Sequence, residues 1–104
     1  VYVNLNITQP IPTTFKLRQN YPNPFNSTTI IPLEIPDESF VKANIYNILG
    51  QEVCILSEGV QSSGYQNLHW HGDNQFGQRV SSGIYFVHVQ YNKKIFTNKM
   101  MLLK

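Results

Sequence analysis

Period-two alternation of apolar and polar residues, recurring along the whole chain, is the feature that most limits what this sequence can fold into. Its clearest instance is Ser82-Gly83-Ile84-Tyr85-Phe86-Val87-His88-Val89-Gln90-Tyr91. As a strand, this run puts Ile84, Phe86 and His88 on one face and Tyr85, Val87, Val89 and Tyr91 on the other. Asn92-Lys93-Lys94 interrupts it, and a second β-rich run from Ile95 to Lys104 follows, so the two predict a hairpin. The second run continues to Lys104, where most domains let their chain fray. The expectation is that this terminal stretch has a function of its own.

The same alternation appears upstream in shorter pieces. Ile31, Leu33 and Ile35 alternate with Pro32 and Glu34; because Pro32 offers no N–H, that strand is expected at a sheet edge or kinked. Val41, Ala43 and Ile45 form another, opposite Lys42 and Asn44, and it ends at Tyr46-Asn47-Ile48-Leu49-Gly50-Gln51, where Gly50 supplies the positive φ of a tight turn. Gln51 to Leu56 is its predicted partner. Glu58-Gly59 and Ser62-Ser63-Gly64 are expected to bracket the next connection, before a strand from Tyr65 to Trp70. His71 to Gly77 reads as a polar loop. Between Phe15-Lys16-Leu17, a short opening strand, and Thr28 lies Asn20-Tyr21-Pro22-Asn23-Pro24-Phe25-Asn26. Its prolines and asparagines predict an ordered corner, with Tyr21 and Phe25 available to plug one end of a core. Seven short strands with no helical period indicate an all-β antiparallel sandwich, with Trp70 as core anchor. Residues 1–14, with Pro10 and Pro12, are expected to be a linker or the tail of an upstream region. Residues 15–104 then form the single domain. The start at Val1 suggests a piece of a larger protein.

Composition excludes more than it assigns. A length of 104 residues allows a modest core but no elaborate cleft. A net charge of +2 is too small to argue for nucleic acid. All the acidic residues lie between Glu34 and Asp73, whereas Arg79, Lys93, Lys94, Lys99 and Lys104 leave the C-terminal part locally cationic. Cys54 is the only cysteine, so it is expected to act as a small hydrophobe. No run is long and apolar enough for a helical membrane span. His69 and His71 flank Trp70 and Asp73 follows, but no third ligand has diagnostic spacing, and one carboxylate in the loop is too few for calcium. No base stands near Cys54, no serine elbow occurs and no carboxylate pair is visible. The residues predict no active site, no metal and no cofactor.

Four stretches carry a resemblance. They are Phe15-Lys16-Leu17-Arg18-Gln19-Asn20-Tyr21-Pro22-Asn23-Pro24-Phe25-Asn26-Ser27-Thr28-Thr29, Tyr46 to Val53, Ser82-Gly83-Ile84-Tyr85-Phe86, and Lys99-Met100-Met101-Leu102-Leu103-Lys104. In this order and spacing the chain resembles the type A C-terminal sorting domain of proteins exported by the type IX (Por) secretion system of the Bacteroidetes. The resemblance implies an immunoglobulin-like sandwich at the end of a larger secreted cargo. It also implies passage through the periplasm, recognition by the outer-membrane translocon, and removal by a sortase, with the cargo secreted or held at the cell surface. Gly64-Tyr65-Gln66 and Trp70-His71-Gly72 depart from the family pattern, as does Pro32.

On that footing the sorting signal is expected in the hairpin from Gly83 to Lys104, with Gly83, Lys99, Met100, Leu102, Leu103 and Lys104 as its recognition residues. The expected partners are translocon and sortase components, with no nucleic acid, no membrane insertion and no self-association beyond the monomer. Recognition could proceed by strand addition at a sheet edge or by capture of the terminal carboxylate. Two other classes compete: a carbohydrate-binding or adhesive module using Tyr21, Phe25 and Phe76, and an immunoglobulin-like spacer. Cleavage, if it occurs, is expected in the linker from Thr8 to Thr14.

Overall fold

A computed structural model of the chain describes residues 11–104. The first ten residues of the expected linker, and with them Thr8, Gln9 and Pro10 of the span expected for cleavage, lie outside the described residues. Of the rest, Pro12 is buried, and Ile11, Thr13 and Thr14 are exposed.

Among the described residues, alternation becomes seven strands: β1 (Lys16–Leu17), β2 (Thr29–Ile35), β3 (Ser39–Asn47), β4 (Glu52–Gln61), β5 (Gly64–Trp70), β6 (Gly83–Tyr91) and β7 (Lys94–Leu102). One sheet has the order β1-β2-β5 and the other β4-β3-β6-β7, and every strand pair is antiparallel. β2, β6 and β7 give alternate residues to the space between the sheets, as period two requires, whereas β4 buries the adjacent Val53 and Cys54 where its register with β3 shifts. Ile31, Leu33 and Ile35 of β2 meet Val41, Ala43 and Ile45 of β3, Val87 and Val89 of β6, and Met100 and Leu102 of β7 in one buried core.

Aromatic rings close both ends of that core. Trp70 lies 5.5 Å from Phe25 and 5.1 Å from Tyr85, centroid to centroid, and both pairs are tilted or edge-on, as ring quadrupoles favour. Its indole N–H donates to the Asp73 carbonyl at 2.9 Å. At the opposite end Phe15 stacks on Tyr91 at 4.4 Å and meets the edge of Phe96 at 4.8 Å.

Three expectations need correction. Pro32 lies in a central strand, not at an edge or a kink, because β2 pairs with β1 on one side and β5 on the other. Its carbonyl accepts from the Arg18 amide, so its missing N–H faces the same side, where β1 has already ended. The Arg18 carbonyl left over there accepts from Asn98 Nδ2 at 3.2 Å. Glu58-Gly59 does not end a strand. β4 runs on to Gln61, with Gly59 opposite Val41 at a φ of 150°, a conformation open to glycine. Of the two corner aromatics only Phe25 enters the core; Tyr21 points outward, half exposed.

Candidate functional site

Four segments far apart in sequence meet at the end of the sandwich where β7 finishes. They are the corner between β1 and β2, the β3–β4 turn, the loop from His71 to Ser82, and residues 99–104. The stretches that carried the resemblance all contribute to this end.

β7 is the last strand of its sheet, and an exposed edge of this kind invites pairing. Here the first loop covers its C-terminal half. The Phe25 amide donates to the Met101 carbonyl and the Leu103 amide to the Phe25 carbonyl, both at 2.9 Å, giving a parallel bridge between Phe25 and Leu102. Asn23 Oδ1 accepts from the Met101 amide at 3.0 Å, and Asn26 Nδ2 donates to the Leu103 carbonyl at 3.3 Å. Farther along, Gln19 Nε2 donates to the Lys99 carbonyl at 3.0 Å. Asn98 Nδ2 returns the contact, donating to the carbonyls of Leu17 and Arg18.

The corner itself is fixed from below. Asn20 Nδ2 donates to Thr29 Oγ1, and that hydroxyl donates to the Pro22 carbonyl, both at 2.9 Å; Asn20 and Thr29 are buried. The Tyr21–Pro22 and Asn23–Pro24 peptides are both cis. Arg79 adds a strap across the end, donating to the carbonyls of His71 at 3.0 Å and Asn26 at 3.2 Å.

Five of the six expected recognition residues fall into two groups, and Gly83 lies between them in exposure. Met100 and Leu102 are fully buried in the core. Lys99, Leu103 and Lys104 are exposed, as is Met101 beside them. Gly83 pairs with Leu102 at a φ of 156°, and the Lys104 amide donates to Ser82 Oγ at 2.9 Å. The described residues contain two ion pairs, Arg18–Glu34 and Lys42–Glu58, so neither Lys99 nor Lys104 is paired among them. A groove of about 290 Å³ runs beside this group between Ile48-Leu49 and Ser81-Ser82-Gly83-Ile84.

Two turns at this end have the same form. Asn47-Ile48-Leu49-Gly50-Gln51 joins β3 to β4, and Asn74-Gln75-Phe76-Gly77-Gln78 lies in the loop before β6. In the first, Asn47 Oδ1 accepts from the amides of Leu49 and Gln51. In the second, Asn74 Oδ1 accepts from those of Phe76 and Gln78. Both glycines have a φ of 79°, the left-handed region that glycine fills without a Cβ penalty.

The other candidate groups stay apart. His71 Nδ1 lies 3.1 Å from Thr28 Oγ1, and His88 packs edge-on to Tyr46 on the outer sheet face. No group of three or more His, Cys, Asp or Glu among the described residues could hold a metal. Cys54 is buried, and its thiol pKa is pushed up to about 11, first by desolvation and then by the Asp73 carboxylate. A thiol held protonated in this way is a poor nucleophile at neutral pH. Sequence reasoning missed the residues that enclose β7: Gln19, Asn23, Asn26 and Asn98. The asparagine-rich corner was the available signal, but Asx side chains also serve local turns, and nothing in the sequence says which they do.

The class is thereby defined as an all-β, two-sheet sandwich whose last strand is enclosed by its own first loop. Residues 19–103 match the family described as "Secretion system C-terminal sorting domain", and the chain belongs to that family. Among solved structures it is similar to dimeric latent PorU from Porphyromonas gingivalis, with a TM-score of 0.70 and 16% identity over 92% of this chain. It is also similar to PorZ, a surface component of the type-IX secretion system of the same organism, with a TM-score of 0.56 and 21% identity over 83% of this chain. At those identities the likeness is one of fold. The chain spans 10% of the PorU chain and 11% of the PorZ chain. No curated protein matches it.

Proposed function

We propose that this domain is the C-terminal export signal of a type IX cargo, acting by recognition and not by catalysis. Membership of the sorting-domain family is the observation that carries this reading. A protein bearing such a domain is exported, to the surface or the medium. The finer route runs through the periplasm to the outer-membrane translocon, with a sortase acting on the domain afterwards.

Of the six expected recognition residues, Lys99, Leu103 and Lys104 are the ones a partner can touch. They combine two cations with an exposed aliphatic side chain, which suits a receptor surface with an apolar centre and acidic groups around it. Gly83, Met100 and Leu102 hold the strand in place beneath them. The bonds that Phe25, Asn23 and Gln19 make along β7 occupy the edge from Lys99 to Leu103, the part that holds the expected signal, so strand addition there is blocked. This favours recognition through side chains over recognition through backbone.

A reporter protein behind a signal peptide, fused to residues 1–104 and expressed in a type IX-competent host, tests the reading. The intact fusion is expected in the medium or on the surface. A triple change of Lys99, Leu103 and Lys104 to alanine should be retained in the periplasm while melting like the parent. Retention of the intact fusion refutes the export role; export of the triple variant refutes the assignment of these residues.

A further inference from the structure

Two turns of one design lie at the end of the sandwich where β7 finishes, one joining β3 to β4 and the other held against β4, the edge strand opposite β7 in the sheet order. The Gln75 amide of the second donates to the Val53 carbonyl, just beyond the end of the first. Glu52, which follows the first turn, and Asp73, which precedes the second, both act on the Cys54 thiol between them.

What the turns present is unusual for loops, which favour small polar residues. Leu49 and Phe76 occupy the same third position, and they are 77% and 76% exposed; Ile48 is 70% exposed. Neither tip residue contributes to the core. Isolated surface apolar residues are ordinary, but here the same large apolar tip is built twice, each on a turn with its own asparagine clasp. That clasp has two consequences. The amides at and after each tip already have an acceptor, so covering the tips with a partner leaves no orphaned N–H there. The side chains are also carried on backbone that is fixed before binding, which lowers the entropy lost on association.

We infer that Leu49 and Phe76, supported by Ile48, are a two-pronged anchor that docks into a protein of the secretion machinery through two apolar sockets edged by lysine or arginine. The cationic edge follows from Glu52 and Asp73. They carry negative charge at the base of the prongs, and neither belongs to an ion pair among the described residues. The same two carboxylates oppose insertion of the tips into an anionic lipid surface. The inference rests on the export reading, but on residues separate from Lys99, Leu103 and Lys104.

The reporter fusion to residues 1–104 provides the test, with Leu49→Ser, Phe76→Ser, the double variant and Asp73→Lys. The double variant is expected to be exported at least tenfold less than the parent at an unchanged melting temperature, with Asp73→Lys also reduced and Phe76→Leu close to the parent. Export of the double variant within twofold of the parent overturns the anchor while leaving the export reading intact. A parent fusion that is not exported overturns both. A lowered melting temperature that accounts for the loss would make the prongs folding elements and overturn the docking role. Purified domain that sediments with vesicles of phosphatidylethanolamine and phosphatidylglycerol, and stops doing so in the double variant, would overturn the protein socket.

Discussion

Phe25→Ala tests whether the first loop holds the last strand. The ring is 2% exposed and packs on Trp70, so truncation removes a buried aromatic and leaves a void against the indole. Changes of this kind cost about 3–5 kcal/mol, against about 5–14 kcal/mol for a whole domain of this length. At roughly 4–8 °C per kcal/mol, the melting temperature should fall by at least about 12 °C. The loss should also be uneven. The amides of Met101 and Leu103 depend on the corner, through Asn23 Oδ1 and the Phe25 carbonyl, whereas alternate amides of β7 point towards β6. Native-state hydrogen exchange should therefore show Met101 and Leu103 losing protection before the amides that face β6. A destabilisation below about 1 kcal/mol, with both amides still protected, would refute the idea that Phe25 anchors the strand.

Two further outcomes follow from buried groups. Thr29→Val keeps the shape but removes the hydroxyl between Asn20 and the Pro22 carbonyl, and chemical denaturation should report a loss of about 1–3 kcal/mol; an unchanged midpoint would show the network to be dispensable. Cys54 should resist thiol reagents in the native protein at pH 8 and react on unfolding. Because its folded pKa of about 11 lies above the ordinary value of 9.0, the stability linked to it is complete below pH 9 and is lost as pH rises towards 11. Cys54→Ala should flatten that alkaline limb in pH-dependent melts, and an unaltered limb would assign the loss to other groups.

Much of the sandwich was legible because period two is a local signal. The inward set Tyr85, Val87, Val89 and Tyr91 and the anchor Trp70 follow from alternation alone, and Gly50 marks its turn through its own backbone preference. The misreadings share a cause: each depended on where a neighbouring strand stops. Pro32 is at ease in a central strand only because β1 ends beside it, and Gly59 continues β4 only because β3 extends to meet it. Phe25 and Tyr21 are both aromatic residues of one corner, and what draws Phe25 inward is the indole of Trp70, far along the chain. The terminal signal residues were legible as a strand, but their division into buried and exposed members needed the register of β7 on β6. Of the apolar turn tips, Phe76 was legible as a stacking ring of the competing carbohydrate-binding class and Leu49 only as a turn residue, since an Asn–Gly spacing predicts geometry and not exposure.

The contact between the corner and β7 joins residues separated by 77 to 80 positions. Until Met101 and Leu103 have been synthesised, Phe25 has no strand to grip, and β6 presents a bare edge where β7 belongs. Such long-range pairings close late and slowly. A chain broken off early therefore cannot display the finished end of the sandwich, whatever else it has folded. Closing this fold requires synthesis through Leu103, and a partner that reads only the closed form would pass over any chain that stops short of it.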